Sequence, residues 1–211
     1  MSVKLVWATP NGEELVAYMA RVSNPDNQDN AETAPKLLKY LINNKHWSPF
    51  EMVNMCVEIE TSRDIARQIL RHRSFSFQEF SQRYAEVDGP DIISIARLQD
   101  SKNRQNSLET DNEYLQNWWL SAQARVADDA EFIYREALKK GIAKEVARKV
   151  LPEGLTPTRM YMNGTLRSWL HYVDIRCDAA TQKEHREVAE QCKALLVTQY
   201  PTLKGLLYAE G

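Results

Sequence analysis

"RQILRHRSFSFQEFSQRY", Arg67 to Tyr84, places four arginines and a histidine among four aromatic residues (Phe75, Phe77, Phe80 and Tyr84) with a single acid, Glu79. The chain around it has no excess of positive charge. Lys and Arg total 27 against 29 Asp and Glu, a formal net charge of −2. Fixed charge is therefore gathered at one place, whereas a nucleic-acid coat or a polybasic membrane anchor needs it spread over much of the surface. Arg71, His72 and Arg73 are consecutive, so on a helix their side chains fan about 100° apart and cannot all grip one small ion. They suit a helix-end junction that touches two or more groups at once. Guanidinium forks match phosphates and the carbonyl edges of flat heterocycles, and they stay charged at any working pH. Downstream, Gln78, Glu79, Ser81 and Arg83 add donors and acceptors in a mixture that reads a nucleotide better than it holds bare phosphate.

Outward from this run, the pattern is mixed. Val3 to Ala8 reads as a short strand, and Asn11-Gly12 turns into a helix carrying Leu15, Val16 and Met19 inward. "AETAPKLLKYLINN" is a second amphipathic helix. "MVNMCVEIET", residues 52–61, alternates with a period near two, as a half-buried strand does. Thr61 or Ser62 then caps a helix through Leu70. The polar stretch Gln99 to Asp111 reads as an exposed loop. From Leu108 to Lys140 apolar residues recur at helical spacing, with Trp118 and Trp119 at core-like positions and Gly141 as the stop. "KEVARKVLP" is a short helix ended by Pro152 and "PTRMYMNGT" a strand. Leu166 to Arg176 and Thr181 to Gln199 are helical, and Trp169 packs inside.

Composition bounds the rest. At 211 residues, with 43% hydrophobic and 27% charged side chains, the chain is long enough for one globular domain, 1–211, with a sizeable core. The three cysteines (Cys56, Cys177, Cys192) have no CxxC spacing, and the four histidines show neither HxxxH nor HExxH, so no disulfide framework and no metal site are expected. The opening apolar run is too short for a signal peptide, and no segment approaches the roughly twenty apolar residues that cross a bilayer. A chain in a reducing cytoplasm, without membrane or nucleic-acid partners, is the expectation. Residue type alone leaves other readings open: the basic and aromatic mixture also suits a module for single-stranded nucleic acid, or a nucleotide-binding protein without turnover. By type alone His46 is a surface or helix-ending histidine.

"RHR", seven residues, Ser81 and then "QRY" resemble the signature of the flavin-dependent thymidylate synthases. "ARVS" at Ala20, "HWSPFEM" at His46, "EVARKVLP" and "LRSWLHYVDIRCD" resemble further family segments in the same order, from residue 20 to 186. The resemblance implies an α/β fold, a single domain with a central, mainly antiparallel sheet flanked by helices, and a homotetramer whose sites are shared between subunits. It implies reductive methylation of dUMP to dTMP, with methylenetetrahydrofolate as carbon donor and NADPH recharging FAD. Carried over, Ser48, Arg71, His72, Arg73, Glu79, Thr165, Leu166, Arg167 and His171 fall to FAD. Gln68, Ile69, Leu70, Arg71, Glu79, Phe80, Ser81, Gln82, Arg83, Arg148 and Arg176 fall to dUMP, and His46 to the folate and flavin entrance. Arg176 is the expected catalytic residue, because a guanidinium at N3 and O2 of uracil stabilises the charge that makes C5 nucleophilic. Ser81 is a hydrogen-bond donor to substrate. The chain departs from the pattern at Thr165, where the family commonly has asparagine, and at Gln82, where it often has a small residue. The Thr165 hydroxyl is therefore expected to face the cofactor.

Overall fold

A computed structural model of the chain describes residues Met1–Tyr208, apart from the Leu206 side chain. Ala209, Glu210 and Gly211 of the expected 1–211 domain lie outside the described residues. In chain order the elements are β1 (Ser2–Ala8), α1 (Gly12–Ala20), α2 (Ala34–Asn43), β2 (Asn54–Ser62), α3 (Arg63–Ile69), β3 (Phe75–Glu79), β4 (Arg97–Gln99), β5 (Ser107–Glu109), α4 (Glu113–Lys139), α5 (Lys144–Ala147), β6 (Pro157–Thr165), α6 (Leu166–Arg176), α7 (Lys183–Gln199) and α8 (Lys204–Leu207). Four strands form one antiparallel sheet in the order β1-β2-β6-β3, and β4 pairs with β5 as a separate ribbon.

β2 lies inside the sheet, and Met55, Val57 and Ile59 are fully buried beneath the helices. Cys56 on its opposite face is also buried, so the strand is more enclosed than its alternating pattern implies. Next to β2, β6 buries Met160 and Met162. α6 follows it directly and lays Leu166, Trp169, Tyr172 and Val173 on the same core. The Trp169 indole donates to the Met55 carbonyl at 2.9 Å, satisfying the one polar group of a large buried ring.

β3 was not expected as a strand. Its five residues pair with β6, and Phe75 lies opposite Gly164. A Cβ at Gly164 would enter the Phe75 ring, so glycine there lets Phe75 pack edge-on against Trp169 at 4.8 Å between ring centroids. That contact anchors the turn 70–74, which carries the Arg71-His72-Arg73 cluster.

Several local expectations change. Met19 is exposed, because α1 turns Val16 and Ala17 to the core instead. The stretch Gln99 to Asp111, expected as a loop, holds the end of β4 and all of β5, which pair as a ribbon, and Leu108 belongs to β5. α4 starts at Glu113, capped by the Asn112 side chain on the Leu115 amide, and runs unbroken to Lys139. Gly141, at φ +81°, ends it in a Schellman turn through Gly141 N to Leu138 O and Ile142 N to Ala137 O. Trp118 and Trp119 are not core residues: they are 54% and 37% exposed, and α4 buries Gln123, Ala127, Ala130 and Tyr134.

Candidate active site

α3 ends at Ile69 and the chain turns through Leu70 to Ser74 before β3 begins. In that turn Arg71 and Arg73 are exposed, and neither makes an ion pair among the described residues. His72 points the other way, edge-on to Tyr172 of α6 at 4.9 Å between ring centroids. Its Nε2 accepts a 2.9 Å hydrogen bond from Arg176 Nε. The acceptor nitrogen is therefore unprotonated, and burial, then the charge of Arg176, holds the His72 pKa down at about 4. With Nε engaged, the two terminal nitrogens of the Arg176 guanidinium form an oriented pair of donors, and no partner holds them among the described residues. The last turn of α6 thus presents a planar cation beside the arginine cluster.

The first turn of α6 builds a second wall. Thr165 caps the helix by accepting from Ser168 N at 3.2 Å, and its hydroxyl donates to Glu51 Oε2 at 2.7 Å. Glu51 also pairs with Arg167 at 2.7 Å. The Thr165 hydroxyl bond, aided by Arg167, keeps the Glu51 carboxyl below its ordinary pKa against the opposing effect of burial. The Ser168 hydroxyl reaches the Ser74 carbonyl at 3.3 Å, tying the helix start to the arginine-bearing turn. Glu51, Ser74, Arg167 and Ser168 line a cleft of about 620 Å³ with Lys45, Trp47, His171 and Asp174. Lys45 reaches it because α2 ends in a Schellman turn, with Lys45 N bonded to Ile42 O, His46 N to Leu41 O, and Lys45 itself at φ +58°. A non-glycine residue in that region is uncommon.

Other expected site residues are placed differently. The Ile69 and Leu166 side chains are fully buried in the core, so only their backbones can meet a ligand. The Thr165 hydroxyl is committed to its cap and to Glu51, not free to face a cofactor. Glu79 is bound inward, 3.3 Å from Arg63 Nη1 and accepting from the Thr158 hydroxyl at 3.0 Å. His46 is exposed beside Tyr40, while its neighbours Lys45 and Trp47 line the cleft. Ser48 is the exposed first residue of a 3-10 turn, Ser48–Met52. Leu70 is partly buried against the main core and Phe80 against the smaller cluster of Val87, Tyr134, Ala147 and Leu151.

The expected substrate set is also divided. Arg83 pairs with Glu145 of α5 at 3.6 Å, and Lys144 Nζ donates to the Tyr84 carbonyl at 3.4 Å, so Ser81, Gln82 and Arg83 lie with Arg148 on the α5 side. Between them and His72 runs the whole of β3, whose five extended residues span roughly 17 Å. Arg176 and the Ser81–Arg83 run therefore stand at opposite ends of β3.

Sequence reasoning missed Glu51, Lys45, Ser74 and Asp174 in the cleft. Glu51 sits within the quoted "HWSPFEM" segment, but no spacing ties it to Arg167, which lies 116 positions further on. His185 was missed as well. It is fully buried, bonded through Nε2 to the Tyr172 hydroxyl at 3.1 Å and through Nδ1 to Gln68 Oε1 at 3.3 Å.

Known proteins align with this geometry. Residues 4–202 match the family model described as thymidylate synthase complementing protein. A relative from Paramecium bursaria Chlorella virus 1, described as a probable flavin-dependent thymidylate synthase, is 50% identical over 98% of this chain and 99% of its own length. The flavin-dependent thymidylate synthase of Synechocystis is 53% identical over 92% of this chain and 89% of its own. Among solved structures, the UMP/dUMP methylase PolB from Streptomyces cacaoi, bound with 5-Br dUMP, superposes with a TM-score of 0.85 at 26% identity, covering 100% of this chain and 95% of that one. The arginine-bearing turn, the α6 wall and the antiparallel sheet behind them are those of a chain that belongs to the flavin-dependent thymidylate synthase family.

Proposed function

We propose that this chain is a flavin-dependent thymidylate synthase that methylates dUMP at C5 to give dTMP. The observation that carries the reading is the Arg176 guanidinium, held at Nε by His72 with its terminal nitrogens free for a ligand. Uracil C5 is a poor nucleophile until charge builds at N3 and O2. A fixed planar donor pair stabilises that charge without reorganising as it forms, and lysine lacks the fork.

The donor set of the cleft fits FAD. Arg167, Lys45 and His171 place cationic or donor groups around Trp47 in the cleft, and the exposed Arg71 and Arg73, on the turn that brings Ser74 to the cleft without lining it themselves, suit the pyrophosphate. Bound FAD, recharged by NADPH, supplies the reducing equivalents that turn the transferred methylene of methylenetetrahydrofolate into a methyl group. Glu51 orients Arg167 and Thr165 fixes the helix start, and the backbone at Leu166 and Ser48 would hold the flavin. Gln68 and Arg176 hold the uracil end of dUMP. Ser81, Gln82, Arg83 and Arg148 hold its phosphate, with Ser81 as a donor.

Because those two groups lie at opposite ends of β3, the site is shared between subunits of a homotetramer. The exposed aromatics of α4 (Tyr114, Trp118 and Phe132) support such an assembly. We place the chain as one domain, 1–211, in a reducing cytoplasm, in keeping with three free cysteines. No helix among the described residues is long and apolar enough to cross a membrane.

Tritium release from C5-labelled dUMP tests the function. Release and dTMP formation should require FAD, NADPH and methylenetetrahydrofolate together, and product formation indifferent to FAD overturns the reading.

A further inference from the structure

Behind Arg176 runs a chain of side-chain hydrogen bonds that has only one possible direction. It starts at Glu184, whose carboxylate lies 2.6 Å from Arg97 Nη1 of β4, with both side chains largely buried. The hydrogen bonds from Arg97 and Gln182 favour its ionised form against the cost of burial, so Glu184 can only accept.

Gln182 must therefore turn its amide nitrogen to Glu184, and Nε2 donates to Oε2 at 3.1 Å. That turns Gln182 Oε1 toward Gln68, which has to donate with Nε2, at 2.7 Å. Gln68 Oε1 then faces His185 Nδ1 at 3.3 Å, so that ring nitrogen carries the proton. His185 Nε2 is left as an acceptor and takes the Tyr172 hydroxyl at 3.1 Å. Reversing Gln182 sets its oxygen against the Glu184 carboxylate, and reversing Gln68 alone sets its oxygen against that of Gln182, so one largely buried ion pair fixes the sense of every bond back to the core.

We propose that His185 and Gln182 are positioning residues that lock the Gln68 amide in one orientation, so that its remaining Nε2 hydrogen meets a carbonyl oxygen of the substrate pyrimidine. His185 is fully buried and touches no solvent. A buried histidine satisfied at both nitrogens can simply hold the fold, but a structural role does not need the bond to Gln68, a partly exposed residue on another helix. An amide free to turn offers oxygen as readily as nitrogen, and opposed acceptors repel. The relay removes that wrong state before substrate arrives, so its benefit falls on binding and leaves the chemical step alone.

The inference rests on the proposed function, and wild-type dTMP synthesis tests that function separately. Given an active wild type, Gln182→Leu, a change at an exposed position, should raise KM for dUMP about three- to tenfold, as loss of an orienting hydrogen bond does, with kcat within about twofold. His185→Phe should do the same. His185→Asn, whose amide can still donate to Gln68, should recover part of the loss. FAD absorbance per chain should be unchanged in all three. The deciding comparison uses Gln68→Leu: combined with Gln182→Leu it should be no worse than Gln68→Leu alone, because both substitutions break one chain of bonds. Independent, multiplying effects overturn the proposal. So does an unchanged KM in Gln182→Leu, which remains decisive should His185→Phe fail to fold.

Discussion

α6 and α4 both carry tryptophan at helical spacing, and they use it in opposite ways. Trp169 of α6 is completely enclosed, hydrogen-bonded to the Met55 carbonyl and packed on Phe75. Trp118 of α4 is 54% exposed and Phe132 68% exposed. The inner face of α4 is partly polar instead. Gln116 bonds both backbone groups of Ala96, and Gln123 both of Ser94, so two amides take the place of a neighbouring strand. Apolar periodicity identifies a helix, but it does not say whether the apolar face is buried by its own chain or by another copy.

The sharpest break in the comparison is thermodynamic. Trp169→Ala should cost about 3–5 kcal/mol in urea unfolding, the usual price of emptying a large buried aromatic site. Trp118→Ala should leave the stability of the isolated fold within about 0.5 kcal/mol while loosening the proposed homotetramer in sedimentation velocity. A Trp118→Ala protein that unfolds as easily as Trp169→Ala would make α4 a core helix after all.

Arg176→Ala carries the next largest effect, on rate. Removing a preorganised donor from developing negative charge costs on the order of a hundred- to a thousandfold, read as single-turnover dTMP formation at saturating dUMP. FAD absorbance per chain should hold, since α6 would keep its buried face. Near-normal turnover would remove Arg176 from the chemistry and reduce its end of α6 to packing.

The contrast also explains what was legible. β6 and α6 were readable to the residue, because Thr165 both ends the strand and caps the helix, and the apolar pattern matches a core supplied by the same chain. β3 was not, because "FSFQE" is short, lies beside a charge cluster, and is strand only through its pairing with β6. The arginine cluster announced itself by composition. Glu51, His185 and the separation of Arg83 from Arg176 did not, since each depends on contacts between distant segments that periodicity cannot register.

Thr165 sharpens the α6 side at a smaller scale. Because its hydroxyl caps the helix and binds Glu51, Thr165→Val should lose about 1 kcal/mol of stability, while Thr165→Asn keeps a cap acceptor and most of that stability. The Glu51 carboxyl should titrate higher in the valine protein, having lost the largest influence that lowers it. If both variants melt together, the cap does not stabilise the start of α6.

The smallest effect is expected at Cys177, one residue beyond Arg176 at the end of α6. A thiolate adding to C6 of uracil is the chemical alternative to activation by arginine, and a neighbouring guanidinium is the kind of group that lowers a thiol pKa. The structure turns the two side chains apart. Arg176 faces His72, while Cys177 packs against the main core. Burial pushes its thiol pKa up, with only partial relief from Lys193, so the neutral thiol predominates at neutral pH. Cys56 and Cys192 are buried, and burial raises both thiols too. A buried neutral cysteine behaves as a small hydrophobe. Cys177→Ala should therefore keep FAD-dependent dTMP synthesis within about tenfold of the parent, about 1.4 kcal/mol in the barrier. Complete loss of activity in a folded, FAD-loaded Cys177→Ala protein that still binds dUMP, with a dUMP–cysteine adduct trapped in the parent, would transfer the activation from Arg176 to its neighbour.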